Sequence, residues 1–238
     1  MEPLESHVLF VDAAGTFEVG TIDQIDGTFV QTQAPTADFS PDWTHVVAVG
    51  PHILFVRNDG LFAVGHIDQI SGHYTETDGA AGAFSSPRFS PDWTHVVAVG
   101  PHVLLVRNDG RYAVGHINLS KGTFVGTASG TLVDPDSGTV FTESTHVVAV
   151  GSRVLLGRND EFWVVHIDEA TSKYVRTQKG PGFPPDPIHV VAVGPRVLGV
   201  SPTTALGFVM HVNHLGQSVE TQSGPPFASD WTPVVAVA

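Results

Sequence analysis

The sequence predicts an all-β chain, a five-bladed β-propeller with four antiparallel strands per blade. Three observations predict it. The segment FSPDWTHVVAVGPH, from Phe39 to His52, returns letter for letter from Phe89 to His102. Around it run four series of short apolar strings, each with five members. None of these strings carries the 3.6-residue period of an amphipathic helix.

The first series is HVVAV, beginning at His45, His95, His146 and His189, with PVVAV at Pro233. Its members are 50, 51, 43 and 44 residues apart, the spacing of a repeat architecture. The second series begins at His7, His52, His102, Arg153 and Arg196 and reads HVLFV, HILFV, HVLLV, RVLLG and RVLGV. The third reads FEVGTID, FAVGHID, YAVGHIN, FWVVHID and FVMHVN. The fourth and weakest reads TFVQTQ, HYTETD, TFVGTA, KYVRTQ and SVETQ. All are short, rich in β-branched or aromatic residues, and bounded by Gly, Pro, Asn or Asp, as strands are. Five copies of four strands make five blades of one domain spanning residues 1–238.

Loop lengths order the strands within a blade. Only Gly50 and Pro51 separate HVVAV from HILFV, so those two strands form a hairpin. Asn58, Asp59 and Gly60 then turn the chain into the third strand, and a turn around Gly72 leads to the fourth. A longer polar link, near Asp78 to Thr94, reaches the next repeat and suits a crossing from an outer to an inner edge. The inner strands are therefore expected near 45–49, 95–99, 146–150, 189–193 and 233–237. The chain starts on a second strand, His7, and stops on an inner one. Pro233 to Ala238 is thus expected to complete the N-terminal blade in a three-plus-one closure that leaves no open inner edge.

Composition excludes several function classes. The 238 residues carry a net charge of −13 with 11 Lys and Arg, which disfavours nucleic acid and anionic membrane surfaces as partners. There is no cysteine, hence no disulfide and no thiolate metal site. No apolar run approaches the roughly 18 residues of a spanning helix. The N-terminus, MEPLESHVLFVDAAG, lacks the apolar core of an export signal. The expectation is a soluble protein, cytoplasmic or released without a cleaved signal.

Core residues must recur in a repeat, but here linker and turn residues recur too. Entry to the inner strand and the second turn fall at the same end of a blade. That end carries Asp42, Trp43, Arg57, Asn58 and Asp59 in one repeat, and Asp92, Trp93, Arg107, Asn108 and Asp109 in the next. A third keeps Arg158, Asn159 and Asp160, and the closing blade has Asp230 and Trp231. An indole beside amides, carboxylates and a guanidinium suits a sugar, whose apolar face stacks while its hydroxyls take fixed hydrogen bonds. The plainer alternative is that the Trp fills space between blades and the Arg-Asn-Asp string is only a hairpin turn, with Arg pairing to Asp on the surface.

With Trp43, Trp93 and Trp231 each just before an inner strand, the layout resembles the tachylectin-type lectins. The resemblance covers the whole chain in architecture and implies one glycan site per blade, with N-acetylated amino sugars as ligands. The inner strand departs from that family in being VVAV where the family's is rich in Phe.

His45, His95, His146 and His189 open four inner strands and would converge near a propeller axis. Four imidazoles there could hold one transition-metal ion, a geometry that resembles the carotenoid-cleaving oxygenases. Alternatively each His bonds a backbone group or a Thr hydroxyl in the adjoining blade, and Thr44, Thr94 and Thr145 precede three of them. A second set, His66, His116, His166 and His211, ends the third strand and reads as structural. No GxSxG, P-loop, HExxH or GxGxxG string occurs in a strand–helix context, and the inner strands contain no carboxylate. The expectation is a multivalent glycan-binding protein that is not an enzyme and holds no cofactor. The alternatives are a metal-dependent enzyme using the axial His ring and a protein-binding scaffold.

Overall fold

A computed structural model describes residues 7–11, 16–22, 28–36, 42–57, 59–78, 92–158, 161–181, 189–193, 196–200, 207–213 and 215–223. The regular elements among these residues are all β-strands, and they form five separate sheets. β1 (His7–Val11), β2 (Phe17–Ile22) and β3 (Phe29–Thr36) make a three-stranded sheet. β4 (Trp43–Val49), β5 (His52–Arg57), β6 (Phe62–Ile67) and β7 (Tyr74–Asp78) make a four-stranded one. The next holds β8 (Trp93–Val99), β9 (His102–Arg107), β10 (Arg111–Asn118) and β11 (Thr123–Thr131). β12 (His146–Val150), β13 (Arg153–Gly157), β14 (Glu161–Ile167) and β15 (Tyr174–Pro181) follow. The last sheet is β16 (His189–Val193), β17 (Arg196–Val200), β18 (Gly207–Val212) and β19 (Ser218–Ser223). In every sheet the spatial order is the chain order, as short hairpin turns dictate. The expected partner of β1, Pro233 to Ala238, lies outside the described residues.

The chain divides into two compact units, Met1–Trp93 with His116–Val125, and Thr94–Gly115 with Gly126–Ala238. In the first, Phe17 and Val19 of β2 meet Ile53 and Phe55 of β5, with Trp43 and Tyr74 against them. The Tyr74 ring lies 5.2 Å from Phe17 and 6.0 Å from Phe55, edge-on to both. In the second unit, Leu156, Trp163 and Val165 join Leu104, Val106 and Tyr112 in one cluster. Leu155, Phe162 and Val164 join Val197 and Met210 in another. Successive residues of β13 and β14 thus feed two cores. That is why these strands read as unbroken apolar runs rather than an alternation.

The turns follow from their residues. Gly50, Gly100 and Gly151 have φ of 57°, 58° and 59° at the first loop position of the tight hairpins, a conformation other L-residues resist. A bulge recurs where the third strand meets the fourth: Val64 pairs with Asp78 but Gly65 with Glu76, leaving Thr77 as the extra residue. Thr177 is the extra residue between Val164/Gln178 and Val165/Arg176, and Thr32 between Val19/Gln33 and Gly20/Gln31. The Oγ1 of Thr77 donates to the Val64 carbonyl at 3.1 Å, and that of Thr177 to Val164 at 3.0 Å. The recurrent Thr of the fourth series is the residue that fills each bulge. No helix among the described residues is long and apolar enough to cross a membrane.

Candidate functional site

Strand register brings the first candidate corner together. Trp43 opens β4 directly opposite Arg57, the last residue of β5. The Arg57 guanidinium carbon lies 6.0 Å from the centre of the Trp43 ring. Its Nη2 is 2.9 Å from Asp59 Oδ2 and 3.5 Å from Asp42 Oδ2. The other Asp59 oxygen accepts the Leu61 backbone N–H at 3.1 Å, so one carboxylate both holds the turn and orients the guanidinium. The Asp42 side chain is 66% exposed. Trp43 is half-buried, with its ring 5.6 Å from Phe55. Its Nε1 is buried and has no acceptor among the described residues. Asn58 lies outside the described residues.

The pattern recurs one sheet later. Arg107 Nη2 is 3.0 Å from Asp109 Oδ2, and Asp109 Oδ1 accepts the Arg111 backbone N–H at 3.1 Å. Asp92 and Asn108 are exposed. Trp93 opens β8, is half-buried, and has an Nε1 in the same state as that of Trp43. With carboxylates nearly half exposed, each such pair contributes little to stability, about 0–1 kcal/mol.

The β12–β15 sheet builds its corner differently. Arg158 Nη2 pairs with Glu161 at 2.9 Å, and its guanidinium lies 5.1 Å from the Phe141 ring. Ser144, where three of the other repeats have Trp and one has Pro187, is buried. Phe141 comes from the preceding link, which folds into a small hairpin through the Val133–Val140 bridge and the Phe141 N–H to Leu132 carbonyl bond of 2.8 Å. Its ring sits 4.3 Å from the fully buried Trp163. Asn159 and Asp160 lie outside the described residues, as do Asp230 and Trp231.

Around that hairpin lies an ion network that the sequence did not suggest. Asp134, buried, receives Arg176 at 2.8 Å and Lys179 at 2.8 Å; Lys179 also reaches Glu161 at 2.6 Å. Arg176 additionally pairs with Asp136 and lies 5.3 Å from the Trp163 ring. The Lys179 hydrogen bond, the Asp136 backbone N–H and the Arg176 and Lys179 charges hold the Asp134 carboxyl well below the usual carboxylate range, against desolvation. The signal in the sequence was faint: only this repeat has basic residues, Arg176 and Lys179, on its fourth strand.

Three of the four inner-strand His lie within hydrogen-bond distance of the Thr that precedes them in their own strand start, where the sequence had suggested a partner in the adjoining blade. Thr44 Oγ1 lies 3.1 Å from His45 Nδ1, Thr94 Oγ1 3.0 Å from His95 Nδ1, and Thr145 Oγ1 2.9 Å from His146 Nδ1. The same hydroxyls donate to the carbonyls of Val56, Val106 and Gly157. The side chain of His189 lies outside the described residues, and among those described no three His, Cys, Asp or Glu gather into a metal-ligand set.

No family model matches the chain, and no curated protein matches it by sequence. Among solved structures it is similar to a candidate 6-phosphogluconolactonase from Bacteroides fragilis, at 12% identity and a TM-score of 0.57, over 96% of this chain and 69% of that one. A second candidate 6-phosphogluconolactonase, from Bacteroides uniformis, is 12% identical with a TM-score of 0.51, over 94% of this chain and 82% of that one. Prp20p from Saccharomyces cerevisiae, whose binding to Gsp1p and histones has been characterised, is 11% identical with a TM-score of 0.52, over 96% and 62%. The two lactonase-like neighbours correct the expectation that the chain is not an enzyme. That expectation rested on missing strand–helix motifs and on inner strands without a carboxylate; an all-β fold has no place for such motifs, so their absence does not separate this chain from enzymes. At these identities the likeness is one of fold: the chain is an all-β protein of the propeller-like class.

Proposed function

We propose that the chain is a multivalent binding protein for polyhydroxylated ligands, glycans foremost, at the corners built on Arg57 and Arg107. One observation carries this reading: the same Arg–Asp clamp recurs on the same turn of two sheets, at 2.9 Å and 3.0 Å, with its carboxylates open to solvent. A sugar hydroxyl can donate to such a fixed carboxylate, and the turn hydrogen bond to Asp59 or Asp109 means little ordering is lost on binding. Trp43 supports the first corner, with the Arg57 guanidinium 6.0 Å from its ring centre, and Trp93 holds the same place at the start of β8. Weak sites repeated on rigid turns gain avidity on a surface with many copies of the ligand. Amino sugars, implied by the tachylectin resemblance, are the first ligands to try.

The reading includes the finer architecture. The five sheets would be blades of one propeller, and Pro233 to Ala238 would supply an inner strand beside β1, where the described residues have three strands.

A glycan array tests the function. The parent should bind a defined group of glycans. Asp59→Asn and Asp109→Asn keep the acceptor for the turn N–H and lose the charge. Each should weaken binding at least about tenfold, the cost of a hydrogen bond to a charged group. Trp93→Ala should reduce it further. A parent that binds no glycan ends this reading. A protein-binding scaffold then becomes the better account, favoured by Ile70 and Leu215, which stand 98% and 59% exposed at the tips of their turns.

A further inference from the structure

At the far end of the third strand, the turn that follows β10 carries a second kind of chemistry. Asn118 Oδ1 accepts the backbone N–H groups of Ser120 at 3.1 Å and Lys121 at 3.3 Å, and the Ser120 hydroxyl at 2.8 Å. Asp68 does the same in its own turn, accepting from Ile70 N, Ser71 N and Ser71 Oγ, and Asp168 accepts from Thr171 N and Oγ1. The turn therefore needs only an oxygen at this position. The carboxamide nitrogen of Asn118 is not required by the fold. Among the five Asn of the chain, Asn118 alone has a hydroxyl residue two places on, in Asn118-Leu119-Ser120. Leu119 is 66% exposed, and Ser120 and Lys121 are exposed beside it.

We propose that Asn118 is an acceptor for N-linked oligosaccharide. The donor class is a lipid-linked oligosaccharyl diphosphate. Asn118 Nδ2 attacks C1 of the reducing-end sugar, the N–C1 bond forms and the C1–O bond to the diphosphate breaks. The lipid diphosphate leaves, and one Nδ2 proton passes to a base of the transferase. The Ser120 hydroxyl, already bonded to Oδ1, is the group that a transferase recognises at this place. A sugar at the tip would also cover Leu119, an exposed apolar side chain. β10 has eight residues and so spans about 26 Å, which keeps such a glycan clear of the Asp109 turn at its other end.

The test directs the full chain into the secretory lumen of a eukaryotic cell and analyses the peptide from Tyr112 to Lys121 by mass, before and after peptide-N-glycosidase. The expected result is a glycan on Asn118 of the parent and of Ser120→Thr, and none on Asn118→Asp or Ser120→Ala. Asn118→Asp should fold, because Asp68 and Asp168 hold the same turn elsewhere. If the chain is not exported, translation with microsomes gives a protease-protected fraction for the same measurement. Exported or protected parent chain with unmodified Asn118 overturns the proposal. Glycan binding at the Arg57 and Arg107 corners is read separately and does not depend on the outcome.

Discussion

Thr77, the extra residue of the β7 bulge, donates its hydroxyl to the carbonyl of Gly122 in the turn after β10, at 2.8 Å. The same proton is shared with the Val64 carbonyl at 3.1 Å. Thr32 makes the equivalent bond to Gly72 at 3.0 Å, and Thr177 to Gly216 at 3.0 Å. A bulge thus becomes a clamp between one sheet and the turn of the sheet that follows. Gly122 has φ of 61°, and a Cβ there would lie 2.5 Å from the Thr77 side chain. Thr77→Val should therefore lower stability by about 1 kcal/mol, for the hydrogen bond alone. Gly122→Ala should cost more, since it adds backbone strain to a clash. Chemical denaturation checks both. A Thr77→Val variant as stable as the parent would show that the clamp contributes nothing.

Acid should act through Asp134. Its carboxyl is held below the usual range in the fold, so the native state binds fewer protons than the unfolded chain as pH falls through about 4. Stability present above that pH should be lost progressively below it. Asp134→Asn should be less stable at neutral pH and should show a flatter acid limb. Parallel acid limbs for the two proteins would remove Asp134 from the account.

A second titration lies nearer neutrality. His52 of β5 pairs with His66 of β6, with ring centroids 4.9 Å apart. Burial first, and the His66 charge second, push its pKa below the ordinary value. The folded state thus keeps His52 neutral while the unfolded chain takes up a proton below about pH 6.5, and stability falls with pH in that window. In an NMR titration of His66→Gln, His52 should move back towards the ordinary value. An unchanged His52 titration would assign the whole shift to burial.

The proposed closure by Pro233 to Ala238 is tested by deletion. Removing Pro233 to Ala238 should lower the melting temperature and promote association, because β1 would then present an unpaired edge. A truncated chain that melts with the parent and stays monodisperse would place the partner of β1 elsewhere.

What the sequence determined by itself was local. Short apolar strings, two-residue Gly-Pro loops and Arg-Asn-Asp-Gly turns act over a few residues, so strands β4 to β6 and their hairpins could be read from letters. The pairing of Arg57 with Asp59 was legible for the same reason. The fourth series looked weak because its one constant residue, Thr, serves a bulge whose partner carbonyl lies in the next turn, some 40 residues away. Only the tertiary structure decided that Phe141 would stand against Arg158 as Trp43 stands against Arg57, and that Asp134 would meet Arg176 and Lys179. Such contacts depend on how a link folds back on a core, and no spacing rule along the chain encodes that distance. Repetition announced the strands, and the places where one repeat departs from its copies had to wait for side chains that meet across sheets.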